Sequence, residues 1–185
     1  MTDSNGVKRQ AERKNTRRKG RSLQRQRALD VLYEADVRSV RREKLPQLLE
    51  RRSELSTAQQ PIQSYGIQVV QAFIDHRDDI DAMIDAASPD WSPGRMSAVD
   101  RNVLRIGVAE MMYCGLDRAV AVKEAASLAR EFSNDQAVPF VMGVLNRVAD
   151  IWELETSGTG FAQTQILGDL MPKSAADADE TQHND

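Results

Sequence analysis

Apolar periodicity is missing from residues 1–20, where charge is dense and large hydrophobes are nearly absent. That composition predicts a segment disordered in the free protein. From Arg21 onward the pattern changes: Leu23, Ala28, Val31, Leu32 and Ala35 recur at helical spacing, and Arg21 and Arg25, one turn apart, share a neighbouring face. Leu45, Leu48, Leu49 and Leu55 mark a weaker helix over about 43–55, broken by residues 56–61. Tyr65, Val69, Phe73, His76, Ile80 and Ile84 then recur every three or four positions and predict one long helix that ends before Pro89. Two prolines and a glycine make 88–94 a connection.

Ser97 followed by Asp100 matches a helix-capping pattern and opens a run containing Val99, Val103, Leu104, Ile106, Val108 and Met111, with Gly115 as its stop. A further helix carries Val122, Ala125, Ala126, Ala129 and Phe132; its small residues allow a close neighbour, either in the core or across a homodimer interface. The last helix begins near Pro139 and presents Val141, Val144, Leu145, Val148 and Trp152. Past Leu154 the sequence turns to Gly, Ser, Thr and Asp, with five acids against one lysine over 169–185, which predicts a disordered acidic tail. The expected organisation is therefore an all-α body at 21–154 between a disordered basic arm at 1–20 and an acidic tail at 155–185.

Composition supports one domain: 185 residues with 41% apolar but only 5% aromatic side chains favour a single helical core. No window approaches the roughly 18 apolar residues that cross a bilayer, and a cytoplasmic protein is expected. Charge changes the picture further. The net charge of -3 conceals ten Lys and Arg against Asp3 and Glu12 in the first 28 residues, a local +8 that leaves -11 on the remainder. A basic arm on an acidic body is the electrostatic footprint of a nucleic-acid binder, the plain alternative being a solvated tail.

Chemistry argues against an enzyme. His76 and His183 have no nearby partners suited to a triad or a zinc site, no glycine-rich phosphate loop is present, and Cys114, the single cysteine, reads as a small buried hydrophobe. Asp78, Asp79 and Asp85 belong to a solvated helix face, and Arg105 is expected to pair with a helix carboxylate. No cofactor or metal is called for.

Four blocks carry a family resemblance. GRSLQRQRALDVLYEADVR at 20–38 is similar to the arginine-rich opening helix of NusB proteins, and VDRNVLRIGVAEM at 99–111 to their central helix. AVAVKEAASLAREFS at 119–133 and FVMGVLNRV at 140–148 follow in the family's order, so the resemblance covers about 21–154. It implies a bundle of about seven helices in two packed subdomains, acting as a transcription antitermination factor. Such a protein binds the single-stranded boxA element of nascent ribosomal RNA leaders together with NusE, a small-subunit ribosomal protein, and joins the RNA polymerase antitermination complex. A stand-alone RNA-binding module of an rRNA-modifying system is the second reading, because the same fold occurs attached to rRNA methyltransferases; this chain is expected to end where such a catalytic domain would start.

The resemblance also assigns residues. Arg21 and Arg25 match arginines of the family's RNA-binding motif, and Arg27 lies in the same block. Ser22 and Leu23 stand where some members carry arginine, and Arg17, Arg18 and Lys19 just upstream are expected to compensate. Phe140 matches an aromatic that stacks near the RNA, the bland alternative being a core side chain. Gln136 matches a position usually acidic in the family, and Met142 replaces its usual asparagine. Tyr33 and Asp100 match positions that contact NusE; by their surroundings alone, the first is a partly buried anchor and the second the capping partner of Ser97.

Overall fold

The computed structural model describes the backbone of residues 4–54 and 60–169 and the side chains of residues 20–54 and 60–157. Among these residues the chain forms seven α-helices: α1 (Ser4–Val37), α2 (Leu45–Glu54), α3 (Ser64–Asp75), α4 (Arg77–Ala87), α5 (Ala98–Met112), α6 (Arg118–Phe132) and α7 (Ala137–Asp169). Short 3-10 turns at Arg42–Lys44 and Pro93–Arg95 precede α2 and α5. The chain divides into two compact units, Met1–Ile151 and Trp152–Asp185.

The first unit is organised around α5, in which every residue from Asn102 to Glu110 is buried. A helix with no solvated face needs neighbours on all sides. Arg25 of α1 meets Glu110 while Asp36 of α1 meets Arg101, so α1 runs antiparallel to α5. On α6, Glu124 joins Arg25 and Ser133, its C-terminal cap, meets Asp100, which makes α6 antiparallel as well. Leu145 of α7 is fully buried, and its methyl carbons lie so close to Gly107 that a Cβ there would sit 2.8 Å from them. Gly66 plays the same part between α3 and α1: a Cβ would meet the Gln24 carbonyl oxygen at 2.8 Å. Ala125 and Ala129 are buried in the core, which decides between the two uses left open for the small-residue stripe of α6.

Three boundaries differ from expectation. The helical backbone of α1 starts at Ser4, not near Arg21. Its early residues are largely strong helix formers, and once the packed part of the helix exists each added residue gains a hydrogen bond without a new nucleus. Likewise α7 continues to Asp169, past the expected end at 154; of the acidic tail, residues 170–185, with His183, lie outside the described residues. The single long helix expected before Pro89 is two helices, α3 and α4, broken at His76 (φ -121°, ψ 27°). Its imidazole stacks on Tyr113 with centroids 3.8 Å apart and planes 3° from parallel. The bend, with its ring against the residue that caps α5, is one that periodicity cannot reveal, because the apolar stripe passes through it unchanged.

Elsewhere the expected chemistry is in place. Ser97 Oγ accepts the Asp100 N–H at 3.1 Å, and Gly115 follows α5 with φ +64°, a left-handed conformation that glycine adopts freely. Val141, Val144, Leu145 and Val148 are buried, whereas Trp152 falls in the second unit. In that unit Thr156 Oγ1 donates to the Trp152 carbonyl at 2.8 Å. No helix among the described residues is long and apolar enough to cross a membrane.

α2 is tied to α1 by a carboxylate between two arginines. Glu34 accepts two hydrogen bonds from Arg52, at 2.7 and 2.6 Å, and one from Arg38 at 2.6 Å. Chiefly through Arg52, this pulls the Glu34 pKa down from 4.5 to about 2, against an opposing push from burial. A depressed carboxylate contributes stability that is complete above pH 4.5 and is lost as pH falls through 2. Glu34→Gln should therefore be less stable than the native chain at neutral pH, and the gap should close between pH 4.5 and 2 in denaturant melts taken across that range.

Candidate nucleic-acid interface

Arg25 lies on the same stripe of α1 as Ala28 and Leu32 and is only 3% exposed. Every nitrogen of its guanidinium has a partner: Nε donates to both Glu110 oxygens at 2.8 and 3.0 Å, Nη1 to Glu124 Oε2 at 3.0 Å, and Nη2 to the Tyr65 hydroxyl at 3.2 Å. Tyr65 in turn donates to Glu110. Burial pushes the Glu110 carboxyl above its ordinary pKa, opposed by Arg25 and Tyr65, and burial together with the Glu110 charge raises that of Tyr65. The expectation that Arg25 meets RNA is corrected here, since a cation inside the core with each of its three nitrogens bonded to a neighbouring side chain has no face to offer a phosphate. It fixes α1 on α3, α5 and α6.

One turn earlier, Arg21 is half-exposed with its guanidinium 4.7 Å from the centroid of the Tyr65 ring, so the two arginines do share a face, one inside and one at the surface. Arg21 borders a polar groove of about 530 Å³ whose other walls include Gln60, Gln63 and Gln68. Arg27 is 18% exposed, paired with Asp30 at 2.9 Å, and its Nε–H is enclosed with no hydrogen-bond partner. The side chains of Arg17, Arg18 and Lys19 lie outside the described residues.

Phe140, in the first turn of α7, is half-buried: its ring packs against the core and also lines an open groove of about 790 Å³. The ring is therefore neither fully core nor fully open. The groove runs from the connection after α4 to the starts of α5 and α7. Asn134 Oδ1 caps α7 by accepting the Gln136 and Ala137 N–H groups, each at 3.0 Å, and Gln136 is exposed along the groove. Trp91, Asn134 and Arg147 share this groove, and sequence reasoning missed all three. An indole inside a Pro- and Gly-rich connection, where no core periodicity explains it, was the available signal. Met142 is exposed, and its carbonyl accepts the Asn146 amide at 2.9 Å.

Tyr33 is 44% exposed on α1, one turn before Asp36, whose ion pair with Arg101 brings it to the end of α5 that carries Asp100. The structure thus places Tyr33 and Asp100 at one end of the bundle, with Tyr33 partly exposed. The Asp100 carboxylate does not cap Ser97: its Oδ1 accepts the Ser133 hydroxyl at 2.6 Å, and only its backbone N–H serves the cap. Arg105 pairs with a helix carboxylate as expected, holding Asp81 through two bonds of 2.8 Å. Asp78, Asp79 and Asp85 are exposed, Asp78 in an ion pair with Arg42 at 2.7 Å. Cys114 is half-buried, with burial pushing its thiol up to about 11.

Comparison with known proteins adds to this geometry. The NusB family model matches residues 22–150. The transcription antitermination protein NusB of Clavibacter sepedonicus is 38% identical over 133 residues, 70% of this chain and 95% of that protein. That of Thermobifida fusca is 36% identical over 135 residues, 72% and 92% of the respective chains. The solution structure of NusB from Aquifex aeolicus has a TM-score of 0.59 and 26% identity, covering 73% of this chain and 90% of that one. A crystal structure of antitermination factors NusB and NusE in complex with double-stranded RNA has a TM-score of 0.57 and 26% identity, covering 71% of this chain and 96% of that one.

The buried cluster makes a direct prediction. Arg25→Gln leaves Glu110 enclosed without its cation and removes one from Glu124, and should cost about 3–5 kcal/mol in equilibrium denaturation. Exchanging all three for apolar side chains should restore much of that loss, since the burial of charge then disappears with its compensation. A single-variant loss below about 1 kcal/mol, the range of exposed pairs, would show that water reaches the cluster.

Proposed function

This chain belongs to the NusB family, and on that premise we propose that it acts in transcription antitermination by binding the boxA element of a nascent ribosomal RNA leader together with NusE. The complex then joins elongating RNA polymerase in the cytoplasm. Residues 1–20 serve as a basic arm, 21–154 as the RNA- and protein-binding body and 155–185 as an acidic tail.

The observation that carries this reading is the charge step along α1. Ten cations and two acids occupy the first 28 residues, and this segment is continuous with a helix pinned at Arg25. A helix held from inside gives Arg21 a defined position against the RNA, while Arg17, Arg18 and Lys19 add phosphate contacts ahead of it. Arg27 contributes through the part of its guanidinium outside the Asp30 pair. Phe140 offers a half-open ring and Gln136 an exposed amide beside it. Tyr33 and Asp100 form the NusE surface, supported by their placement at one end of the bundle.

Two outcomes test this. Deleting residues 1–20 should weaken binding of a boxA-like RNA and flatten the dependence of log K on log salt. The slope should fall by about 0.7 for each phosphate of the single strand that the arm no longer neutralises. An unchanged slope would remove the arm from the interface. Competition with scrambled RNA, duplex RNA and duplex DNA measures how much of the affinity is selective. For the partner surface, Asp100→Asn keeps the backbone N–H on Ser97 and an oxygen for Ser133, so the melting temperature should hold. Its affinity for NusE should nevertheless fall several-fold, mainly through slower association at low salt. Unaltered NusE affinity would confine Asp100 to its bond with Ser133.

A further inference from the structure

We propose that the groove between the α4–α5 connection and the start of α7 takes one unstacked base of the bound RNA, with Trp91 as a second aromatic wall alongside Phe140. This deepens the RNA-binding reading above and rests on it.

Trp91 is 47% exposed on a connection whose backbone is held in place, its own N–H donating to the Ser88 carbonyl at 2.9 Å. An indole with nearly half of its surface in water at a fixed position outside the core cluster costs solvation. It gives a flat face on which any base can stack. The Arg95 guanidinium lies over the indole ring, 5.3 Å from its centroid, so a cation already covers one face and an inserted base would stack on the other. At about 790 Å³ the groove lies within the range of roughly 300–1,000 Å³ that small ligands occupy.

Charge selects which part of a nucleotide goes in. Asp90 and Asp100 line the groove and would repel a phosphate, whereas Arg147 on the wall and Arg95 by the indole suit the phosphates on either side of an inserted base. A neutral base carrying an exocyclic amino group offers these carboxylates a donor, and the Gln136 amide supplies both a donor and an acceptor. The chemistry therefore favours adenine, cytosine or guanine over uracil in this position. A protein side chain with the same amphipathic character is the competing occupant, and the experiment separates the two.

The full chain carries two tryptophans, so Trp152→Phe leaves Trp91 as the sole indole reporter. Binding of a boxA-like single-stranded RNA oligonucleotide should quench its fluorescence. Trp91→Ala should lower RNA affinity roughly 5- to 150-fold, the worth of one base stack, with the thermal melt unmoved, and Trp91→Phe should keep most of the affinity. In a set of oligonucleotides each lacking one base, a single position should weaken binding to the native chain and have no effect on Trp91→Ala. Uracil at that position should bind less tightly than adenine or cytosine. If Trp91→Ala binds RNA normally while deletion of residues 1–20 still weakens it, the base site is overturned and the RNA reading stands. If the native chain fails to bind the oligonucleotide at all, the RNA reading falls and the base site with it. A Trp91→Ala chain that loses NusE affinity but keeps RNA affinity would assign the groove to protein and overturn the proposal.

Discussion

One buried cation organises this molecule. Arg25 reaches across from α1 to carboxylates on α5 and α6 and to the Tyr65 hydroxyl on α3, so four helices meet at a single guanidinium. Apolar packing alone would let α1 rotate or slide at small cost, because Ala28, Leu29, Val31 and Leu32 present similar surfaces at successive turns. A planar fork with directional donors does not allow that freedom. Misplacing it by one residue would strand Glu110 in the core, an error far larger than a poor apolar fit. The cluster is best understood as a device for register, and the surface position of Arg21 follows from it.

A second polar network fixes the opposite end of the same helix pair. Asp36 accepts from Arg101 at 2.8 Å and from Asn102 at 2.9 Å, and Arg105, which also reaches Asp36, passes the connection on to Asp81 of α4. Between the two networks the close approaches at Gly66 and Gly107 bring backbones together where a methyl group would not fit. Specificity in this bundle thus comes from a few directional bonds and two absent side chains, set within a core that is otherwise interchangeable aliphatic surface. The groove beside Phe140 lies where this rigid frame ends: its walls come from a connection and from two helix starts.

Helix positions were legible in the sequence because an amphipathic stripe is a local property. α2, α5 and α6 fall where their periodicity puts them, and the cap at Ser97 is visible as two residues three apart. The break at His76 was not legible, since the ring it stacks on, Tyr113, caps α5 far along the sequence. Arg25 shows the same limit more sharply. Its charge and its place in the family's motif pointed outward, yet its spacing to Ala28 and Leu32 already put it on the buried stripe, and Glu110 repeats the pattern in α5. A cation and an anion each sitting on an apolar face, far apart in sequence, were a readable sign of a buried pair. Trp91 was hidden for the opposite reason, because a lone aromatic in a connection belongs to no pattern until a surface forms around it.

The Arg25 cluster also has a bearing on how the chain is made. Its partners lie 40, 85 and 99 positions further along the sequence, so α1 is secured by residues synthesised well after it. At about 5–20 residues per second, roughly 5–20 s pass between the emergence of Arg25 and that of Glu124. Throughout that interval the most basic part of the protein is exposed on the ribosome, itself a polyanion, before its own carboxylates exist to hold it. These long-range pairs cannot close before Glu124 has emerged, and a chaperone or a nucleic acid that occupies the segment during that interval competes directly with α5 and α6 for it.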